Sequence, residues 1–403
     1  AARLAARDAR RLTRVSQGPL TPRQQLLTLL DVALRTVAGR DCVRRALSQW
    51  LRANAAAPGT PFAVFAVGKA AREMWQGAYD VLGDRIERGI VVAKDIADSC
   101  RGDPCFARAR VFDGAHPLPD SRSVAAGQAL LDAVATLPAH CFPILLISGG
   151  ASSLAEVPRD GVSLEQIRAA GERGLSGGVP IGELNRQRAA LSALKAGGLT
   201  RQLRGRPALG LFISDVPGDD PAVIGSGLLA PQPDDRVVRQ VIATIEHALT
   251  AVEQAAQAAG LTVVRRPERL VGEAALQGGA LAQALLAGPA GLLLAGGETT
   301  VTLPPEPGLG GRNQHLALAA ARVLAGHEGV WLLAAGTDGI DGATGDAGAL
   351  VGGQSWQDAV DAGVDPAAGL AAADAATVLE ASGDVVHTGP TGTNVGDLVI
   401  GLK

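Results

Sequence analysis

One grammar repeats along this chain: a short unbroken apolar run, then glycine beside a polar or charged residue, then a helix-forming stretch. It occurs at Phe62 to Val67 before Gly68-Lys69, at Ile144 to Ile147 before Ser148-Gly149-Gly150, and at Ala208 to Ile213 before Ser214-Asp215. It recurs at Leu292 to Ala295 before Gly296-Gly297-Glu298 and at Trp331 to Ala335 before Gly336-Thr337-Asp338. Apolar runs without polar alternation suit strands covered on both faces. Their alternation with helices predicts an α/β fold with mainly parallel, helix-covered sheets. Open sheets of this kind bind ligands beyond the carboxyl ends of their strands, where each of these glycine turns falls.

Helices are expected at about Ala70 to Leu82, Ser121 to Leu137, Ser163 to Gly171, Asn185 to Leu203, Arg236 to Ala259, Glu273 to Leu286, Gln314 to Leu324 and Asp374 to Ser382. The long Arg236 to Ala259 segment, introduced by Pro231 to Asp235, is the expected connection between two α/β domains. Residues 21–235 then form an N-terminal Rossmann-like domain and residues 236–403 a C-terminal one, in keeping with a length of 403. Residues 1–20 carry five arginines on alanine without the apolar core of a secretory signal, and read as a solvated extension. Thr21-Pro22 caps an amphipathic helix beyond it.

Composition removes several classes. With 47% hydrophobic and 19% charged residues and a net charge of −3, the chain is neither generally disordered nor a dedicated nucleic-acid binder. No run approaches the roughly 20 apolar residues of a membrane span. The cysteines at 42, 100, 105 and 141 are too irregularly spaced for a disulfide framework or a tetrahedral zinc site, so a cytoplasmic protein is expected. Glycine is abundant, 52 of 403, which points to many turns needing positive φ or close approach.

Phosphate fingerprints of the common kinds are missing: there is no G-x-x-x-x-G-K-[ST]. The nearest dinucleotide pattern, Gly225 to Ala230, is bracketed by Pro221 and Pro231 with no strand leading into it. Gly150 to Leu154 lacks the second glycine of a serine-hydrolase elbow. What remains is anion chemistry. Ser148-Gly149-Gly150-Ala151-Ser152-Ser153 can converge N–H groups and hydroxyls on an oxyanion, or be only a tight turn. Gly68-Lys69 sets a cation beside N–H donors, or is a solvated helix start. In Gly310-Gly311-Arg312-Asn313-Gln314 the arginine can fork onto carboxylate or phosphate, or lie on the surface. Asp215, Asp219, Asp220, Glu298 and Asp338 are strand-end carboxylates suited to Mg²⁺ or to turn capping. His116, in Gly114 to Asp120, sits on a rigid turn and is read as structural. Thr388 to Asn394 is a polar loop before the closing strand.

Together these segments resemble the glycerate 2-kinase family, whose C-terminal domain is the MOFRL domain, from Thr21 to Lys403. The resemblance rests on VGKA (Val67 to Ala70), HPLPD (His116 to Asp120), SGGASSL (Ser148 to Leu154), LSALKAGGL (Leu191 to Leu199) and ISDVPGDDPAVIGSG (Ile213 to Gly227). It continues through AGGETTV (Ala295 to Val301), GGRNQ (Gly310 to Gln314), TDGIDG (Thr337 to Gly342) and PTGTNVGDL (Pro390 to Leu398). Ala151 and Ala196 stand where the family usually has glycine.

The resemblance implies ATP- and Mg²⁺-dependent phosphorylation of D-glycerate at its 2-hydroxyl, with an active-site cleft between the two domains. It supplies the choice of C2. Lys69 and Arg312 are the candidate catalytic residues. Candidate binding residues for glycerate and ATP are Gly68, Ser148, Gly149, Gly150, Ser152, Ser153, Lys195, Gly297, Glu298, Thr299, Asn313, Thr391 and Asn394; candidate metal ligands are Asp215, Asp219 and Asp338. The alternatives are an NAD(P)H-dependent hydroxypyruvate reductase and a non-catalytic small-anion-binding protein. Partners are expected to be small molecules, without nucleic acid or membrane, and oligomeric state is left open.

Overall fold

A computed structural model describes residues 20–54, 59–175 and 181–403. The chain divides into two compact units. The N-terminal unit is Ala38–Thr244 with Gly392–Val395, and the C-terminal unit is Ile245–Thr391 with Gly396–Lys403 and the described residues up to Val37.

In the N-terminal unit six strands form one sheet: β1 Phe62–Val67, β2 Ile86–Ala93, β3 Ala109–Asp113, β4 Phe142–Ile147, β5 Ala208–Ile213 and β6 Val237–Ala243. Their order is β3-β2-β1-β4-β5-β6 and every pairing is parallel. All six residues of β1 and of β5 are buried, because both sheet faces are covered. Ala63, Phe65, Val67, Leu145, Ile147 and Phe212 pack with Ala126, Leu130 and Val134 of the helix Ser121–Ala135. Burying a leucine or phenylalanine of this kind contributes roughly 1.5–3 kcal/mol. On the other face Gly89 of β2 lies against the Trp75 ring of the helix Ala71–Leu82, where any Cβ would collide with it.

The C-terminal unit holds β7 Val263–Arg265, β8 Leu292–Gly297, β9 Trp331–Gly336, β10 Gly348–Gly352, β11 Val385–Val386 and β12 Asp397–Leu402, in the order β11-β10-β9-β12-β8-β7. This sheet is mixed: β7 and β8 are parallel, whereas β12 runs antiparallel to both β8 and β9, and β10 antiparallel to β9 and β11. The α/β, helix-covered architecture is as expected, but the parallel character holds throughout only in the first sheet. Insertion of β12 sets its first residue, Asp397, opposite both Gly297 and Gly336, the last residues of β8 and β9.

Three further differences from the expected organisation concern particular segments. The segment expected as one helix over Arg236 to Ala259 is the strand β6 followed by the helix Ile245–Ala258. Its β-branched Val237, Val238, Val241 and Ile242 favour the pleated edge of the sheet. The unit boundary therefore falls after Thr244 rather than at 235. The helix Pro22–Thr36, capped by Thr21 in a capping box with Gln24, groups with the C-terminal unit. Arg23 at its start donates to the carbonyls of Leu350 and Gly383, both at 3.3 Å. The expected helix over Asn185 to Leu203 is broken into Ile181–Leu191 and Gly198–Leu203. Ala196 (φ 48°) and Gly197 (φ 82°) turn the chain between them.

Candidate active site

Strand order in the N-terminal sheet reverses between β1 and β4, the position at which doubly wound sheets open a crevice at their carboxyl ends. Two turns meet there. Gly68 follows β1 with φ 131°, and a Cβ on it would collide with Ser148, so the first turn can approach the second only through glycine. The two are tied by backbone and hydroxyl: Lys69 N–H donates to the Gly149 carbonyl at 2.8 Å, and Ala70 N–H to Ser148 Oγ at 3.0 Å. Lys69 is half-buried. Gly150, with φ 79°, then opens the short helix Ala151–Leu154.

Three more segments reach these turns. Asp215, just beyond β5, accepts a 2.9 Å hydrogen bond from the Asn394 amide, and the two side chains fill the space that a Cβ on Gly149 would need. Asn394 comes from Gly392–Val395, the four residues that return to this unit from late in the chain. On the Gly150 side, a Cβ would lie 3.1 Å from Lys69 Cγ and 3.2 Å from His116 Cδ2.

The serines expected to face an anion make hydrogen bonds within the turn and to a neighbouring one. Ser148 Oγ takes the Ala70 N–H, Ser153 Oγ donates to the Gly150 carbonyl at 3.2 Å, and Ser152 Oγ accepts from Ser226 Oγ at 2.7 Å. Lys195 is buried, its ammonium paired with Glu156, whose Oε1 also takes the Ser192 hydroxyl and the Val157 N–H. Burial lowers the Lys195 pKa and Glu156 opposes that shift, so the cation is engaged inside the unit rather than presented to a ligand. Asp219 lies in a turn with φ 53°, its N–H on the Val216 carbonyl at 3.3 Å.

In the C-terminal unit, Arg312 begins the helix Arg312–Leu324. Its Nε and Nη2 donate to the two oxygens of Asp397 at 2.5 and 3.0 Å, and its Nη1 lies 3.0 Å from Glu298. Burial opposes the charge on Arg312, yet Asp397 and Glu298 more than offset it and raise the pKa above its ordinary value. Asp397 is the site residue that reading the sequence did not single out. It stood in plain view within the PTGTNVGDL motif, but its pairing depends on where β12 inserts.

The same helix start is capped from a distance. Asp341 Oδ1 accepts from Asn313 N and Nδ2 at 3.0 and 3.1 Å, and Oδ2 from Gln314 N at 2.7 Å, satisfying donors that a helix leaves open. Gly311 packs directly on this carboxylate. Burial pushes the Asp341 carboxyl up to about 6 despite those hydrogen bonds. Asp338, half-buried, accepts the Ile340 N–H at 3.1 Å, and Thr391 Oγ1 donates to the Thr337 carbonyl at 2.5 Å. Gly297 ends β8 against Leu270, Glu298 is exposed, and Thr299 is buried. Among the described residues, Asn313 Oδ1 and Thr299 Oγ1 are buried polar atoms with no hydrogen-bond partner. The expected metal carboxylates Asp215, Asp219 and Asp338 form no three-ligand cluster among the described residues. The group close enough to share an ion is Glu87, His140 and Cys141, away from these turns at the start of β2 and before β4.

Comparison with known proteins decides between the readings left open. Residues 25–259 match the family described as Domain of unknown function (DUF4147), and residues 291–397 match the MOFRL family. The chain is 35% identical to D-glycerate 2-kinase of Thermotoga maritima over 84% of its own length and 89% of that protein's. The chain belongs to the glycerate 2-kinase family. Glycerate 2-kinase of Pyrococcus horikoshii is 30% identical over 84% of this chain and 86% of its own. A protein of Agrobacterium vitis carrying the name hydroxypyruvate reductase is 35% identical over 83% of this chain and 97% of its own. The crystal structure of glycerate kinase from Thermotoga maritima superposes with a TM-score of 0.78 at 30% identity, covering 94% of this chain and 98% of that one. No helix among the described residues is long and apolar enough to cross a membrane.

Proposed function

We propose that this chain transfers the terminal phosphoryl group of ATP to the 2-hydroxyl of D-glycerate, giving 2-phosphoglycerate and ADP, in the cytoplasm. The observation that carries the reading is the meeting of Gly68-Lys69 with Gly149-Gly150 at the β1/β4 switch point. Phosphoryl transfer asks a protein mainly for positioning and for charge placed where oxygens become more negative. Lys69 and the N–H groups of the Gly149-Gly150 turn supply both. Arg312 is the second catalytic cation. Asp397 holds its inner edge in a fixed orientation, and the exposed Glu298 is the partner that an incoming anion replaces. Asn313 Oδ1 and Thr299 Oγ1 are ready to take up hydrogen bonds from a ligand.

Magnesium fits the donor chemistry of these strand ends: Asp215 offers a hard carboxylate oxygen steadied by Asn394, and such an ion binds through one or two carboxylates plus substrate phosphates. Asp215 heads the candidates to hold it, followed by Asp219 and Asp338, and the ion would neutralise charge on adjacent phosphates. A reductase reading has weaker support. The first βα turn has a single glycine followed by Lys69, and Gly225-Ser226-Gly227 lies at a 3₁₀ turn, Ile224–Ser226, rather than between a strand and a helix.

The test is incubation with ATP, Mg²⁺ and D-glycerate, with identification of the phosphoglycerate isomer, beside a hydroxypyruvate and NADH assay. ATP-dependent formation of 2-phosphoglycerate is expected, falling about 10²- to 10³-fold in Lys69→Ala. NADH oxidation on hydroxypyruvate without ATP consumption on glycerate would sink the reading.

A further inference from the structure

His116 stands where the sequence suggests only a rigid structural turn, and that turn is held by its backbone and by neighbouring side chains. Gly114 N–H donates to the Ala93 carbonyl at 2.8 Å, and Gly114 itself packs so closely on Leu154 that a Cβ would collide with the carbonyl there. Ala115 N–H is held by Ser123 Oγ at 2.9 Å. Asp120 caps the helix Ser121–Ala135 through Arg122 N and Ser123 N. Clamped at both ends, the segment after β3 crosses to the carboxyl end of β4 and delivers an imidazole to Gly150. A Cβ built on Gly150 would lie 3.2 Å from His116 Cδ2 and 3.5 Å from Nε2, with Lys69 Cγ at 3.1 Å. The half-buried imidazole and the half-buried lysine therefore flank the same left-handed turn residue.

We propose that His116 is a ligand-contacting residue of this site, its Nε2 donating a hydrogen bond to an anionic oxygen held over the Gly149-Gly150 turn. The inference rests on the kinase reading above, which names two sources of such an oxygen: the carboxylate of D-glycerate and a phosphate of the nucleotide. A nest of N–H groups beside a lysine binds an anion by charge, and a fixed imidazole donor adds direction. Because the Cδ2–Nε2 edge faces the turn, glutamine, whose amide nitrogen reaches about as far as Nε2, should substitute better than the shorter asparagine.

The experiment compares the parent with His116→Ala, His116→Gln and His116→Asn, measuring KM for D-glycerate and for ATP, and measuring binding of D-glycerate and of ATP separately by calorimetry. Loss of a hydrogen bond to a charged group corresponds to about a 10- to 100-fold loss of affinity. A rise of that size in KM and Kd for glycerate alone assigns the carboxylate, and one for ATP alone assigns the phosphate. In either case His116→Gln should recover more than His116→Asn while the thermal midpoints of the variants stay at the parent's, a combination that a merely structural role would not produce. Unchanged KM and Kd for both ligands in a folded His116→Ala overturns the proposal. If that variant unfolds, equal behaviour of the glutamine and asparagine variants does so. Should the parent fail to phosphorylate glycerate, the functional reading falls, while the calorimetry still decides whether His116 meets either anion.

Discussion

Asp397 grips Arg312 along one whole edge, accepting from Nε and Nη2 at 2.5 and 3.0 Å, while its own side chain is almost wholly buried. A bidentate fork of this kind fixes the plane of the guanidinium, so the orientation of Arg312 is set by a residue 85 positions further along the chain. Register explains why: Asp397 opens β12 opposite Gly297 and Gly336, at the strand ends where glycine turns lie.

From this pair follows the first prediction. Asp397→Asn keeps the shape but removes the charge and one acceptor, so turnover should fall at least tenfold with Arg312 still present. Arg312→Ala should fall about 10²- to 10³-fold, and Arg312→Lys should recover little, because an ammonium offers no planar fork. Arg312→Ala also strands a buried carboxylate, so its thermal midpoint should drop, and Arg312→Ala/Asp397→Ala should regain part of that loss. Steady-state kinetics with thermal unfolding read both effects; full turnover in Asp397→Asn would show that the fork is not needed for the reaction.

Much of this arrangement was legible beforehand, and the illegible parts share a cause. Lys69 and Arg312 announced themselves because each follows glycine where a helix begins, a local pattern. Asp397, Asp341 and His116 meet neighbours on elements distant in sequence, and no local pattern carries that. The antiparallel insertion of β12 is hidden for a related reason: a strand covered on both faces reads as an unbroken apolar run whichever way it points. In β6 a weak β-branched signal was masked by the alanine-rich helix behind it. Ser148 and Ser153 have the right type and position for anion binding, but only the fold reveals that their hydroxyls also bond within the turn and to the neighbouring one.

The second prediction concerns pH. Burial raises the Asp341 carboxyl to about 6, above the ordinary value near 4, so the folded protein holds this proton more tightly than the unfolded chain. The resulting contribution to stability is fully present below about pH 4 and is lost as pH rises through about 6. A shift of about two units corresponds to about 3 kcal/mol. Urea unfolding of the parent and of Asp341→Asn from pH 4 to 7 isolates it: the stability advantage of the parent should shrink by about that amount across the window. Parallel pH dependences would mean that Asp341 titrates normally.

The last prediction concerns the buried pair Lys195 and Glu156. Both side chains are essentially sealed from water, Glu156 at 0% and Lys195 at 2% exposure, and burial lowers the Lys195 pKa even with its partner beside it. Taking two ions out of water costs so much that their attraction recovers it only when the pair is intact. Breaking such a pair typically costs about 3–5 kcal/mol, whereas replacing both ions with apolar side chains of similar volume is often neutral or better. Lys195→Met and Glu156→Leu should therefore each be strongly destabilising. The double variant should recover most of the loss, short of the term for Ser192, whose hydroxyl and the Val157 N–H lose their acceptor. Denaturant unfolding of the four proteins measures the coupling directly. Because Lys195 is engaged with Glu156 inside the N-terminal unit, a folded double variant should keep its KM for ATP and for glycerate within a few-fold of the parent. A selective rise in either KM would instead return Lys195 to the ligand-binding role suggested by its motif.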